Sequence, residues 1–454
     1  MEYFDSKKNE IVMPDAVQSI IEELESAGYE AYIVGGCVRD ALLGRIPNDW
    51  DITTSASPMQ VKALFARTID TGIQHGTVTV MVGKEGYEVT TYRIDGAYSD
   101  GRHPDGVTFT SNLGEDLLRR DFTINAMAYH PKRGIVDLYH GREDLKKGII
   151  RCVGRAKDRF LEDALRILRA VRFAAQLHFE IDGETEAAIR ELAGNLQKIS
   201  HERIRDEVNK LLLSAHPEYV MKLWEYKITG VIAPWFDRMM ETPQQNAYHE
   251  VNVAKHTVRV IANTPPSREL RWAALLHDVG KPDTLTVDSD GTTHFYGHAE
   301  LGETMAKQIL RDFKWDNDTI RDVSRMVRWH DYRCPQSRKS IRKAVNQIGK
   351  DIFPAVLELM RADTYGKRRE TWEKSLADID ASEAIYRDIL EEGECVSLKE
   401  LEIDGHVLMT ELGLPSGRIL GEILQTLLGE VLEDSGKNKR EYLLKRAKQL
   451  YDCR

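Results

Sequence analysis

Asp49 and Asp51, in the stretch NDWDITT, are the residues of this chain whose type and spacing most directly suggest chemistry. On an extended backbone, alternation puts both carboxylates on one face and sends Trp50 and Ile52 to the other. Two carboxylates held that close repel each other unless a cation sits between them. Paired aspartate oxygens suit a hard ion such as Mg²⁺, which keeps waters and shares its shell with substrate phosphates. A lone Asp-x-Asp is most often a surface turn, but this one follows Gly35-Gly36. The apolar run Tyr32-Ile33-Val34 reads as a buried strand, the glycines allow a tight turn and close approach to a ligand, and Val38 to Leu43 has apolar residues at helical spacing. The free N–H groups at such a helix start suit an anion such as a triphosphate. Strand, glycine turn, helix and paired aspartates together are the equipment of phosphoryl transfer.

Other elements are placed to complete this site. The β-branched runs Gly76 to Val82 and Tyr87 to Tyr92, separated by GKEG, predict a hairpin whose second strand carries Glu88, a third carboxylate. Ser57-Pro58 opens a capped helix, and PDAVQSIIEELESA has the periodicity of a helix covering one face of a sheet. Gly96 to Val107 is too polar and glycine-rich for a regular element. In Glu115 to Ala126, Arg119 and Arg120 offer guanidinium forks for phosphate oxygens, while Asp121 and Asn125 offer polar groups for ribose hydroxyls. Phe160 to Phe173 predicts one amphipathic helix, with Leu161, Leu165, Leu168 and Phe173 near one face and Glu162, Asp163, Arg166 and Arg169 on the other.

Length and composition bound the rest. A chain of 454 residues is too long for one core and suggests roughly three domains. No apolar run approaches the ~20 residues that cross a bilayer, and the start has no signal-peptide pattern, so a cytoplasmic protein with no membrane partner is expected. The five cysteines, Cys37, Cys152, Cys334, Cys395 and Cys453, have no paired spacing, which points to reduced thiols rather than a disulfide framework or thiolate zinc site. The net charge of −10 divides unevenly: residues 1–150 contain 16 Lys+Arg against 23 Asp+Glu, the remainder 47 against 50. Basic clusters at Arg338-Lys339-x-x-Arg342-Lys343, at Lys367-Arg368-Arg369 and from Lys437 to Lys448 offer contacts to backbone phosphates, or simply solvated helix faces.

A second constellation lies further along. Tyr248-His249 opens it, His256 falls in a helical stretch, ELRWAALLHDV ends at His277-Asp278 with Gly280 as its expected stop, and His298, His330 and Asp363 come later. Singly, such histidines are more often buried hydrogen-bonding residues. As a set with two carboxylates, they suit a divalent transition metal better than Mg²⁺.

The stretch GGCVRDALLGRIPNDWDITTSASP resembles the head signature of the class II tRNA nucleotidyltransferases, the CCA-adding enzymes, and of the related bacterial poly(A) polymerases. The segment LLRRDFTINA and the motif Glu162-Asp163-x-x-Arg166 are similar to further motifs of that family. The resemblance implies a multidomain protein: an α+β nucleotidyltransferase head with a mixed sheet (1–150), an all-α neck selecting the nucleotide (151–240), an HD-type body (245–375) and a helical, tRNA-binding tail (376–454). It implies Asp49, Asp51 and Glu88 as catalytic, Mg²⁺ on Asp49 and Asp51, and nucleotide binding by Gly35, Gly36, Arg39, Arg120, Asp121, Asn125, Asp163, Arg166 and Arg169. The implied partners are tRNA, CTP and ATP, with no obligate protein partner. In that family the Asp and Arg of the neck motif act as a protein template; a carboxylate accepts and a guanidinium donates, so one pair meets the edge of cytosine or adenine. G and U would leave buried groups unpaired, at about 1–3 kcal/mol each. Residues 96–107 resemble the family's flexible element for switching from C to A. His256, His277, Asp278 and Asp363 resemble the H…HD…D signature of the HD phosphohydrolases, a possible second metal site, and Pro415 to Gly421 resembles a tRNA-contacting turn. A poly(A) polymerase, or a protein that is chiefly an HD phosphohydrolase, are the alternatives.

Overall fold

The computed structural model describes residues 4–5, 10–96, 106–246, 248–333 and 336–453. The chain divides into two compact units, Met1–Pro234 and Trp235–Arg454. The Gly96 to Val107 loop falls mostly outside the described residues.

The first unit is built on a seven-stranded mixed sheet. Its strands are β1 (Ala31–Val34), β2 (Ile52–Thr54), β3 (Thr68–Gly72), β4 (Thr77–Val82), β5 (Glu85–Thr91), β6 (Ala128–His130) and β7 (Gly134–Val136), in the spatial order β7-β6-β1-β2-β5-β4-β3. Only the β2–β5 pair is parallel, with Ile52 opposite Val89. The predicted hairpin is present as β4 and β5, with Thr79 opposite Glu88. Helix α1 (Asp15–Ser26) buries Val17, Ile20, Ile21 and Leu24, four positions on one face, as its periodicity requires. Helix α2 (Gly36–Leu42) leaves β1 through Gly35, whose φ of 83° lies in the left-handed region where glycine has no Cβ penalty. The extended stretch Asp49-Trp50-Asp51-Ile52 enters the sheet only at Ile52, although the Asp51 carbonyl still accepts from Val34 N–H at 3.0 Å. Both aspartates therefore sit on the lead-in to β2 rather than inside the ladder.

After the head sheet the first unit is helical, with one exception to the all-α neck: Glu180–Ile181 pairs in parallel with Ile149–Ile150. The predicted continuous helix from Phe160 to Phe173 is broken. A helix over Ala156–Glu162 ends at Asp163, whose φ and ψ of −143° and 105° are extended, and α3 (Leu165–Leu177) starts anew. The break resets the helical phase, so Leu161, expected on the core face, is 57% exposed, while Leu165 and Leu168 are buried. Asp163 accepts from Leu165 N–H at 3.0 Å, a cap that satisfies one orphan donor of α3. Helix α4 (His201–Leu212) packs on α3.

Among the described residues the second unit is helical apart from a hairpin of Leu285–Val287 with Thr293–Phe295. Its helices include α5 (Val253–Asn263), α6 (Arg268–Leu276), α7 (His298–Asp312), α8 (Asn317–Trp329) and α9 (Phe353–Gly366). The C-terminal segment forms α10 (Gly405–Leu412), α11 (Arg418–Glu433) and α12 (Arg440–Asp452) around a core that includes Leu408, Leu427, Val431 and Leu443. Gly280 has φ of about −81° and is no left-handed stop; α6 already ends at Leu276. Its smallness is what counts, because a Cβ there would lie 2.3 Å from the His298 carbonyl oxygen and 2.8 Å from Gly302 N.

Candidate active site

In the first unit, the parallel register of β2 and β5 aligns the residues that precede Ile52 and Val89, namely Asp51 and Glu88. Both remain reachable from solvent, yet both carboxyls are held above the usual range. For Asp51, the surrounding protein mass raises it, Arg120 pulls it back and Asp49 raises it further. For Glu88, desolvation acts first, then the charges of Asp51 and Asp49. The three acids thus share one electrostatic field, in which a cation would be stabilised. They are not among the described trios whose ligand atoms all lie within 4.8 Å of one another, so phosphate oxygens and water would have to complete an ion's shell. Cys37, one residue after Gly36, is no nucleophile: burial and Asp51 push its thiol up to about 12.

Four of the residues expected to bind a nucleotide, Arg39, Asn125, Asp121 and Arg169, are joined by hydrogen bonds into one network. A Cβ at Gly35 would lie 3.0 Å from Arg120 Nη1, so the glycine lets that guanidinium lie against the turn. Arg39 donates to Asn125 Oδ1 at 2.6 Å and to Asp40 through Nε and Nη2 at 2.9 Å. Asn125 donates to Asp121 Oδ1 at 3.1 Å, and Asp121 Oδ2 accepts from Arg169 Nε at 2.8 Å. Burial raises the Asp121 carboxyl, but Arg169 and Asn125 outweigh it and hold it below the usual range. Arg39 and Arg169 both lie over the Phe173 ring, at 5.1 and 5.4 Å. Arg39, Asn125, Asp121 and Arg169 therefore form one continuous polar seam from α2 to α3, while Arg120 lies against Gly35 and pairs with Asp116 at 3.5 Å.

Asp163 is held from outside the motif, and Arg166 from both within and outside it. Arg166 pairs with Glu162 and donates to the Arg159 carbonyl at 3.1 Å and, through Nη2, to the Arg119 carbonyl at 3.0 Å. Asp163 accepts from Arg203 of α4 through both oxygens, at 3.3 and 2.7 Å. The sequence reading named no site residue in the α4 segment. No local signal tied Arg203 to Asp163, since forty residues separate them and the turn at Asp163 was not foreseen. Glu207, which pairs with Arg172 beneath the seam, was missed in the same way.

The second unit gathers the other constellation. His256 Nε2 lies 2.9 Å from Asp363 Oδ1, and His277 Nε2 lies 3.1 Å from Asp278 Oδ2. Burial raises the Asp278 carboxyl, but His277 and Lys281 hold it well below the usual range; Lys367, then His256, do the same for Asp363. Gly366 makes room for this arrangement, since a Cβ there would come within 2.9 Å of the His256 ring. The four expected residues are thus brought together, and His298 and His330 approach the other oxygen of Asp278 at 3.7 and 3.6 Å.

Three family profiles match consecutive parts of the chain: Poly A polymerase head domain over residues 31–151, Probable RNA and SrmB-binding site of polymerase A over 178–240, and tRNA nucleotidyltransferase domain 2 over 284–447. The CCA-adding enzyme of Lactiplantibacillus plantarum is 34% identical over 447 residues, covering 97% of each chain. The chain belongs to the CCA-adding enzyme family. A second CCA-adding enzyme, from Ligilactobacillus salivarius, is 36% identical over 438 residues, covering 95% of this chain and 96% of that one. Among solved structures, the Bacillus stearothermophilus CCA-adding enzyme in complex with CTP is similar at 30% identity and a TM-score of 0.71, covering 97% of this chain and all of that one. The Thermotoga maritima CCA-adding enzyme complexed with tRNA, 20% identical with a TM-score of 0.60, shares the fold. Like these relatives, this CCA-adding enzyme family member has a mixed-sheet head followed by a mostly helical remainder. No described helix is long and apolar enough to cross a membrane.

The basic clusters fare unevenly. Arg338 pairs with Glu392 and Glu394, Arg342 with Glu394, and Lys339 and Lys343 both with Glu433, so this cluster is occupied within the chain. Lys367 pairs with Asp363 at 2.6 Å. In the last cluster, Arg440 pairs with Glu411 and Arg446 with Glu430.

Proposed function

We infer that the chain adds C, C and A to tRNA 3′ ends from CTP and ATP, without a nucleic-acid template. The observation that carries this reading is the convergence of Asp49, Asp51 and Glu88 in one field beside a Gly35–Arg120 turn that continues, residue to residue, to Asp121 and Arg169. In the reaction, the terminal 3′-hydroxyl oxygen bonds the α-phosphorus, the bond to the β-phosphate bridge breaks, and pyrophosphate leaves. Asp49 and Asp51 would hold Mg²⁺, which supplies charge neutralisation at the phosphoryl group when bound. Glu88, whose carboxyl is raised, is placed to take the hydroxyl proton. Arg120 and Arg39 neutralise and orient the triphosphate against the start of α2, and Asn125 and Asp121 meet the ribose. Asp163 and Arg166 present an acceptor and donors to the base edge, while Arg203, Glu162 and two backbone carbonyls fix their orientation. The relatives solved with CTP and with tRNA support the same substrates, and we read the protein as a cytoplasmic enzyme on that basis.

The second unit we read as an HD-type body in which His256, His277, Asp278 and Asp363 hold a divalent transition metal. The donor set fits such an ion: the imidazoles are neutral by burial at His256, the carboxylates are ionised, and all four are buried. The partition of the two units into head, neck, body and tail at the boundaries given above belongs to this reading.

Asp49→Ala tests the head assignment. It should abolish nucleotide addition while tRNA affinity, measured by filter binding, stays within about threefold of wild type. A variant that still extends tRNA would remove Asp49 from the metal site.

A further inference from the structure

Asp116 is a completely buried carboxylate in the helix over Leu113–Leu118, one helical turn before Arg119 and Arg120. Its Oδ2 accepts from the Thr53 hydroxyl at 3.2 Å and lies 3.5 Å from Arg120 Nη2. Its Oδ1 accepts from Arg119 Nε at 2.9 Å and from the Arg93 N–H at 3.4 Å. A carboxylate only accepts, so both oxygens are committed to donors that come from three separate stretches of the head. Burial raises the Asp116 carboxyl, but the charges of Arg119 and Arg120 outweigh it and hold it below the usual range, so the group is ionised at neutral pH.

The partners of Asp116 join the two halves of the active site. Thr53 lies on β2 two residues after Asp51 and is itself completely buried. Its hydroxyl also lies 3.2 Å from the carbonyl of Thr90, which follows Glu88 by two residues on β5. The strands next to Asp51 and Glu88 are therefore tied at one point to Asp116, and through it to Arg120. On its other side, Arg120 Nη1 would lie 3.0 Å from a Cβ at Gly35, and its charge pulls the Asp51 carboxyl down. Among the described residues its ion pair is with Asp116, and its buried Nε has no hydrogen-bond partner. Few contacts besides the Asp116 carboxylate thus set how this guanidinium is turned.

We propose that Asp116 is a positioning residue for the triphosphate: it anchors Arg120 to the strands beside Asp51 and Glu88, so that the group gripping the phosphates and the metal-binding acids keep one fixed relation. The proposal rests on the assignment of Arg120 to the triphosphate and extends it to a side chain buried out of reach of substrate. Two roles for Asp116 differ in sign. A carboxylate that only offset the charge of the arginines would, on removal, leave a more positive site that binds a polyanion more tightly. A carboxylate that positions Arg120 would, on removal, leave the guanidinium misdirected and the polyanion bound more weakly.

The test uses the full chain with Mg²⁺ and tRNA, and inorganic tripolyphosphate as a competitive inhibitor against CTP, because this probe has neither base nor ribose. Arg120→Ala sets the reference and should weaken inhibition by tripolyphosphate. Asp116→Asn should raise the inhibition constant and the KM for CTP and ATP together, by about tenfold, with tRNA affinity unchanged. Thr53→Val removes one hydroxyl at nearly constant shape and charge, and should move the same two constants by about threefold. Added to Arg120→Ala, Asp116→Asn should cost nothing more, since both act through one group. Tighter tripolyphosphate binding in Asp116→Asn, constants unchanged in Thr53→Val, or effects that multiply in the double variant would each overturn the proposal and leave the Arg120 assignment standing. Inhibition unaffected by Arg120→Ala would overturn both.

Discussion

Arg203→Ala should erode nucleotide selection while sparing chemistry. Asp163 makes three contacts in the structure: the Leu165 N–H at 3.0 Å and the two Arg203 nitrogens at 3.3 and 2.7 Å. The substitution removes the last two and leaves a carboxylate hinged on one backbone hydrogen bond. A charged hydrogen bond contributes about 1.5–3 kcal/mol. The side chains here are 24% and 16% exposed, which screens the pair and favours the lower end. About 1.5–2 kcal/mol of orientation is then lost, a factor of roughly 10–30 in discrimination at 1.36 kcal/mol per tenfold. The assay is single-turnover extension of tRNA ending in CC or lacking CCA, giving kcat/KM for each of the four nucleoside triphosphates. The ratio of CTP and ATP to UTP and GTP should fall by that factor. Arg203→Lys, which keeps the charge but not the fork, should give an intermediate loss. An equal fall for all four nucleotides would show that Arg203 braces α4 without positioning the template carboxylate, and the reasoning would fail.

Three further outcomes follow from the same geometry. Gly35→Ala forces a side chain into φ of 83° and sets its Cβ 3.0 Å from Arg120 Nη1; it should destabilise the chain by about 1–2 kcal/mol in urea and raise KM for CTP and ATP several-fold, and an unchanged KM would separate Arg120 from the triphosphate. Asp51→Asn should stabilise the metal-free protein near neutral pH. The folded-state carboxyl is raised, so its contribution is most favourable below the unfolded pKa and is lost as pH rises through the folded one. The gain in thermal midpoint in chelator should vanish in acid, and Mg²⁺ should no longer stabilise the variant's head; a variant less stable at neutral pH would contradict the crowded-acid picture. Lys339→Gln with Lys343→Gln should leave the salt dependence of tRNA binding unchanged, because both lysines are spent on Glu433; a slope reduced by one to two would show that they reach phosphate.

What could be read in advance was local. Period-2 alternation and the glycine pair located the strand–turn–helix of Gly35 and the hairpin that bears Glu88, and each motif residue was legible by type. The failures were of phase and of distance. The break at Asp163 is written in no breaker residue: it is made by the carboxylate capping its own chain and by an arginine forty residues away, so periodicity carried a helix through it and put exposed Leu161 in the core. The cluster at Arg338 to Lys343 looked basic because its compensating acids, Glu392, Glu394 and Glu433, lie beyond any local window. Gly280 was legible as a glycine but not as a contact, since only the approach of α7 requires it.

The most direct test of the central claim is to incubate the protein with Mg²⁺ and a tRNA ending at its discriminator base, with CTP alone, ATP alone or both, and read product lengths at nucleotide resolution. Two added residues with CTP and three with both are expected. A ladder of adenosines from ATP alone, or no extension in any lane, would contradict the account.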